Sequence, residues 1–363
     1  MASTGSTTAA AVPEVALPSG DAKPMPVIGL GTAVMFHVRP EDTQDAVLAA
    51  IELGFRCFDT AYLYGTERQL GDAVAEAVRR GLVRSREEVF VTSKLWCTQC
   101  HPDLVVPSLR ETLQNLQMEY LDLYLIHQPI CQKPGPPVFP AKREDARPFD
   151  FKGVWQAMEE CQRLGLARAI GVSNFTTKHL DKTLPFATIT PAVNQVEVNP
   201  VCQQQKLRTY CAEKGIHVQA FSPLGGQSWN GEANAVLESE VLAEIAKARG
   251  KSVAQVVFSH NQLPLYGMLH LCICDAYSHR STLLLLQVSL RWVYEQGVSI
   301  VVKTYNKERL RQNLELFDWE LTDEDRLKIS QIPQKKLQGG AFMFYPEGEF
   351  TSVDISEINF AEE

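Results

Sequence analysis

Four side chains able to move or hold a proton, Asp59, Tyr64, Lys94 and His127, lie at or just past the ends of short apolar runs in the first third of the chain. A phenol has an ordinary pKa of about 10 and is a poor acid at neutral pH, but a nearby ammonium favours the phenolate and lowers that value. Lys94 is placed to supply this charge. Asp59 would pair with Lys94, because an unpaired buried ammonium is costly, and His127 would orient a carbonyl oxygen beside the phenol. Singly, each residue reads as a loop ion pair, a satisfied structural histidine or a packing tyrosine; their order and phase on consecutive strands argue for joint chemistry.

The elements that must position them follow from periodicity. Strand-length apolar runs recur at Val27 to Thr32, Phe55 to Thr60, Val89 to Lys94, Leu121 to His127, Ala167 to Ser173, Val193 to Glu197, His217 to Ser222 and Val298 to Lys303. Between them, Thr43 to Leu53, Leu70 to Arg79, Val105 to Leu116, Val154 to Leu164, Gln204 to Lys214 and Val236 to Arg249 carry apolar residues at helical spacing. Gly54, Gly165, Gly215 and Gly297 each separate a helix from the next strand, as helix stops do. This alternation predicts an α/β fold, a (β/α)8 TIM barrel, whose strand ends converge on one face. An open doubly wound sheet is the rival. Against it, Gly29 and Gly31 lack the third glycine of a dinucleotide-binding loop.

A chain of 363 residues, 45% hydrophobic, suffices for one large core. We expect a disordered tail over residues 1–20, with a short hairpin among the first twenty-odd residues, and a single barrel domain over 21–363. The net charge of -8 argues against nucleic-acid or anionic-membrane partners and for a small molecule. No signal or transit pattern opens the chain, and nine cysteines without regular spacing suit a reducing compartment, so a cytoplasmic monomer is expected. Cys97-Thr98-Gln99-Cys100-His101 matches the spacing of haem attachment, which needs export. A redox or zinc pair is the next alternative; ordinary loop cysteines are favoured, and no metal site is expected.

Asp59-Thr60-Ala61, Tyr64-Gly65-Thr66-Glu67, Ser93-Lys94-Leu95-Trp96, Leu121 to His127, Ile170 to Phe175 and Lys303 to Asn313 resemble the aldo-keto reductases over roughly residues 24–345. The resemblance implies that Tyr64 is the proton donor, that Lys94 and Asp59 tune it, and that His127 orients the carbonyl of a ketone or aldehyde. It further implies an NADPH cofactor. Ser173, Asn174 and Gln195 would hold its carboxamide, Phe221 would stack on the nicotinamide, and Ser222 and Leu224 would meet the pyrophosphate. Gly31, Thr32 and Asp59 would line the same site. Lys303 and Arg309, with Thr304, Gln312 and Asn313, carry the charge and polarity a 2′-phosphate needs.

Phrases such as Leu95 to Pro102, Leu113 to Tyr120 and Gly348 to Asp354 are similar to grass members of the family that reduce a 3″-keto amino acid precursor of an iron chelator. Broad-specificity plant reductases of the codeinone and chalcone type are the alternative. Ala33 and Gln128 stand where tryptophan is usual in the family, which would make a pocket also lined by Trp96 and His127 wider and more polar.

Residues 256–287 have no counterpart in the family pattern. Removing them joins Ser252-Val253-Ala254-Gln255 to Val288-Ser289-Leu290-Arg291 as one amphipathic helix, so the segment interrupts a helix. It reads as a retained intron, a gene-model error or a lineage-specific loop, and in the first two cases the chain would be a catalytically impaired cofactor binder.

Overall fold

The computed structural model describes residues 12–18, 22–33, 39–137, 143–225, 234–248 and 280–335, with backbone alone at 143 and 280–286. A two-stranded hairpin comes first, β1 (Glu14–Val15) against β2 (Met25–Pro26). The barrel strands are β3 (Ile28–Gly31), β4 (Cys57–Asp59), β5 (Phe90–Leu95), β6 (Leu121–Ile126), β9 (Ala167–Ser173), β10 (Val193–Glu197), β11 (His217–Phe221) and β12 (Ser299–Val302). A side ribbon, β7 (Cys131–Gln132) with β8 (Ala146–Arg147), lies between β6 and β9 in the chain. The helices are α1 (Pro40–Leu53), α2 (Glu67–Arg79), α3 (Val105–Leu116), α4 (Phe151–Arg163), α5 (Thr177–Thr183), α6 (Gln205–Glu213), α7 (Glu240–Ala248), α8 (Arg280–Glu295), α9 (Lys307–Asn313) and α10 (Asp323–Ser330).

The eight barrel strands close on themselves, every pair parallel, in chain order with β12 returning to β3. The predicted barrel is the observed one. Strand periodicity sorts the interior: Cys57, Phe90, Leu123, Leu125, Ala169 and Val193 form an inner cluster with Leu17 and Met25 of the hairpin segment. The hairpin therefore plugs the N-terminal end of the barrel. This moves the tail boundary from the expected residue 20, because Glu14–Val15 is paired; residues 1–11 lie outside the described residues.

The outward residues Phe58, Val91, Tyr124, Ile126, Ile170 and Val172 pack with the helices as the main core, so both sheet faces are covered. Gly54 closes α1 at φ 104°, donating its N–H to the carbonyls of Ala50 and Ile51, and Gly165, Gly215 and Gly297 share the left-handed region. Periodicity passed over α5, which is short and begins with a capping box at Thr176, and α10, whose charged sequence hides a start capped by Thr322.

The interrupted helix appears as α8, which already runs from Arg280, so its first two turns come from the 256–287 segment. The rest of that segment, like Gly348 to Asp354, lies outside the described residues.

Candidate active site

Asp59 ends β4, Lys94 lies in β5, His127 follows β6, and Tyr64 sits on a one-turn helix, Tyr62–Tyr64, closed by Gly65 at φ 64°. Lys94 Nζ donates to Asp59 Oδ1 at 2.5 Å and to the Thr60 carbonyl at 3.0 Å, and lies 3.5 Å from Tyr64 Oη. On the other side of the phenol, His127 Nε2 is 3.4 Å from Tyr64 Oη. Trp96 packs edge-on against the His127 ring, centroids 5.2 Å apart. All four residues singled out in the sequence thus meet around one phenolic oxygen.

Their electrostatics differ from the expectation in one respect. Burial raises the Tyr64 phenol above its ordinary value, outweighing the downward pull of Lys94, and Asp59 adds to the rise. Burial thus favours the protonated phenol, with the Lys94 ammonium pulling the other way. For Lys94, burial works against the charge, yet Asp59 and Tyr64 more than offset it and its pKa is raised. His127 is held well below its ordinary value, first by burial and then by Lys94, so its imidazole is neutral.

Gln195 was expected only as a cofactor contact. Its Nε2 donates to Asp59 Oδ2 at 2.8 Å and to Gln219 Oε1 at 2.7 Å, so it also steadies the carboxylate. Ser173 Oγ donates to the Gln195 carbonyl, and Asn174 Nδ2 donates to the His127 carbonyl at 2.9 Å. Asn174 and Ser222 both adopt left-handed backbone, φ 61° and 47°, at the ends of β9 and β11. Such non-glycine strain collects at ligand clamps. Phe221 beside Ser222 is half-buried, leaving ring surface for stacking.

The second predicted group is carried by other elements. Lys303 and Thr304 follow β12, while Arg309, Gln312 and Asn313 ride on α9, fastened to α1 by Tyr305 Oη to Thr43 Oγ1 at 3.1 Å and by Lys307 to Glu52 at 2.8 Å. Gln312 Oε1 is buried without a hydrogen-bond partner. Helix α8 touches both halves of the predicted cofactor site: Ser289 Oγ donates to the Pro223 carbonyl, and Gln287 Nε2 donates to the Gln312 carbonyl at 3.3 Å.

Gly31 serves packing as well, since a Cβ there would sit 2.8 Å from Val301 Cγ1, and Thr32 Oγ1 donates to the Asp59 carbonyl at 3.2 Å. Ala33 is half-buried at the edge of a segment outside the described residues. Gln128 is buried and its Oε1 lacks a hydrogen-bond partner. The Cys97-x-x-Cys100-His101 stretch is loop packing. Burial raises both thiols, Cys131 Sγ donates to the Cys100 carbonyl at 3.2 Å, and His101 Nε2 lies 2.7 Å from the Gln132 carbonyl. Among the described residues no group of three or more His, Cys, Asp or Glu is arranged to hold a metal. No helix among them is long and apolar enough to cross a membrane.

Sequence reasoning passed over Glu197, the last residue of β10. Burial raises its carboxyl to about 7 against a single opposing bond, Asn199 Nδ2 to Glu197 Oε1 at 3.2 Å. The unfolded chain ionises near pH 4.5 while the folded chain stays protonated, so this group costs stability as pH rises through the 4.5–7 window. Glu197→Gln is expected to stabilise the chain at pH 8 by up to about 3 kcal/mol and to be near neutral at pH 4.5. Urea unfolding at the two pH values checks this; equal effects at both would sink it.

The model of the aldo/keto reductase family matches residues 27–262. The chain belongs to the aldo/keto reductase family. The match stops inside the 256–287 segment. The wheat (Triticum aestivum) deoxymugineic acid synthase 1-D is 50% identical over 330 residues, covering 91% of this chain and 95% of the relative. The Citrus sinensis (1S)-1,7-diacetoxy-luvungin A aldo-keto reductase is 48% identical over 344 residues, covering 95% and 97%. Among solved structures, a Bombyx mori aldo-keto reductase in complex with NADP superposes with a TM-score of 0.74 at 33% identity, covering 91% of this chain and 96% of that one. An aldo/keto reductase works on a carbonyl, and here Lys94 and His127 both lie against the Tyr64 hydroxyl.

Proposed function

We propose that this aldo/keto reductase is a cytoplasmic, NADPH-dependent carbonyl reductase that converts the 3″-keto precursor to 2′-deoxymugineic acid. The observation that carries the chemistry is the Tyr64 hydroxyl held between Lys94 Nζ and His127 Nε2. When bound, NADPH would supply the hydride that the carbonyl carbon takes up. Tyr64 Oη gives its proton to the carbonyl oxygen, and Lys94, anchored by Asp59, stabilises the phenolate left behind. Neutral His127 directs an Nε2–H at the same oxygen, since its buried Nδ1 has no partner and is the cheaper place for a bare lone pair.

The residues present fit the cofactor. Asn174 and Ser222 hold strained backbone where a carboxamide and a pyrophosphate would lie, Phe221 offers a ring face, and Lys303 and Arg309 bring cations to a 2′-phosphate. Ser173, Gln195, Leu224, Thr304, Gln312 and Asn313 complete that lining.

For the substrate, the unpartnered Gln128 Oε1 beside His127 suits the ammonium of a zwitterionic amino acid. The 48% identity to the Citrus enzyme favours a second reading, a substrate of the kind that relative is named for, a diacetoxy-luvungin A. NADPH consumption with the 3″-keto precursor and with such a compound separates the two; a kcat/KM more than about tenfold higher for the luvungin-type compound overturns the first. Gln128→Trp is expected to lower kcat/KM for the precursor by about 10–100-fold, the worth of one buried polar contact. A rise would show that Gln128 does not serve this substrate.

A further inference from the structure

We propose that Thr66 is a positioning residue for the proton donor, its hydroxyl being the hub of a buried chain that fixes the Tyr64 turn to the strand ends carrying Asp59 and Lys94. The inference rests on the reading that Tyr64 is the donor. Thr66 is the N-cap of α2, where a threonine hydroxyl ordinarily accepts from the first backbone N–H groups of its helix. Here it makes no such cap bond. The hydroxyl turns inward instead, 2.7 Å from Thr32 Oγ1 and 3.0 Å from Thr60 Oγ1.

One proton order runs through the three hydroxyls, with the Thr32 carbonyl, 3.4 Å from Thr66 Oγ1, as a second acceptor for the Thr66 proton. Thr60 donates to Thr66, Thr66 to Thr32, and Thr32 Oγ1 to the Asp59 carbonyl at 3.2 Å. All three hydroxyls belong to buried residues, at 1%, 0% and 4% exposure for Thr32, Thr60 and Thr66. The chain ends on the backbone of Asp59, and the next carbonyl, that of Thr60, accepts from Lys94 Nζ at 3.0 Å. Thr66 itself is two residues from Tyr64. A single hydroxyl therefore sets the spacing between the donor and the ion pair that tunes it.

That spacing has no slack. Tyr64 Oη lies 3.5 Å from Lys94 Nζ, the outer limit of a hydrogen bond, so a few tenths of an ångström further removes it. The start of α2 has a second anchor. The Glu67 carboxylate accepts from Ser93 Oγ at 2.7 Å and from Asn115 Nδ2 at 2.9 Å. Loss of the Thr66 hydroxyl would leave the helix seated by Glu67 while the turn before it shifts.

The test compares Thr66→Val, Thr66→Ser, Thr60→Val and Tyr64→Phe in the full chain, with NADPH and a generic aldehyde. Thr66→Val is expected to lower kcat by about 10–100-fold with KM and the NADPH Kd, read by fluorescence quenching, changed less than about twofold. Thr66→Ser, which keeps the hydroxyl, is expected to restore kcat. Thr60→Val, which removes only the outer donor, is expected to lower kcat by about 2–10-fold and decides the matter if Thr66→Val does not fold. An unchanged kcat in Thr66→Val, or kcat, KM and Kd all worsening in parallel, overturns the proposal. Activity surviving in Tyr64→Phe would instead overturn the donor reading, a separate outcome.

Discussion

Tyr64→Phe is expected to lower kcat for aldehyde reduction by about 10²–10⁴-fold while leaving the NADPH Kd within about twofold. The substitution removes one oxygen and keeps the ring that packs edge-on against His127, centroids 5.4 Å apart. It therefore deletes the acid without reshaping the pocket. Two other polar groups lie at the phenol: Lys94, whose raised pKa makes it a poor acid, and His127. Its imidazole is neutral because burial and Lys94 both disfavour the charged form, so it has no second proton to spare. For the same reason reduction by the unaltered chain is expected to show no loss of kcat/KM as pH falls through the ordinary histidine range near 6.5, and an alkaline loss only above the ordinary phenol value of about 10. Steady-state rates with a generic aldehyde and fluorescence titration of the cofactor check both parts. A Tyr64→Phe chain retaining more than about a tenth of kcat would mean that another group delivers the proton.

The fold was legible because its signals are local. Continuous apolar strands, helical periodicity and the glycine stops at 54, 165, 215 and 297 each specify a nearest-neighbour choice, and a parallel barrel is what those choices add up to. The tetrad was legible for a related reason, since Asp59, Lys94 and His127 lie at strand ends, Tyr64 follows β4 by a few residues, and the topology carries strand ends to one face. What stayed hidden depends on which side chains face each other across strands. Gln195 is 136 positions from Asp59, yet its amide holds the carboxylate; nothing in either local sequence states that pairing. Thr66 reads as an ordinary helix cap, and only the fold turns its hydroxyl away from the helix. The direction of the Tyr64 shift was hidden as well, because a charged neighbour can be named from sequence whereas depth of burial cannot, and here burial wins.

The segment at 256–287 sharpens the same distinction. Its last residue, Gln287, and the next turn of α8 reach the Gln312 carbonyl on α9 and the Pro223 carbonyl after β11, beside residues that would hold the cofactor's phosphates. Helix α8 also puts Val288, Leu290, Trp292 and Val293 into the main core, so the segment joins the chain where barrel packing and the expected cofactor site meet.

Lys94→Met tests how much of the site's cost the ion pair offsets. The side chain is 1% exposed and its charge faces Asp59, itself 4% exposed, so removing the ammonium strands a carboxylate in a dry barrel. Breaking one partner of such a pair costs about 3–5 kcal/mol, and the bond from Gln195 Nε2 to the other carboxylate oxygen argues for the lower end. Adding Asp59→Asn removes the stranded charge, so the double variant is expected to regain most of that stability in urea unfolding. Activity should follow the opposite rule. Both Lys94→Met and the double variant lose the ammonium that stabilises the phenolate, so kcat should stay about 10²–10³-fold down in each. With Lys94 absent, burial is left unopposed in raising the Tyr64 pKa, and any residual alkaline limb should move to higher pH. Restored stability with restored activity would show that Lys94 is structural; restored stability with activity still lost separates its electrostatic role from its packing.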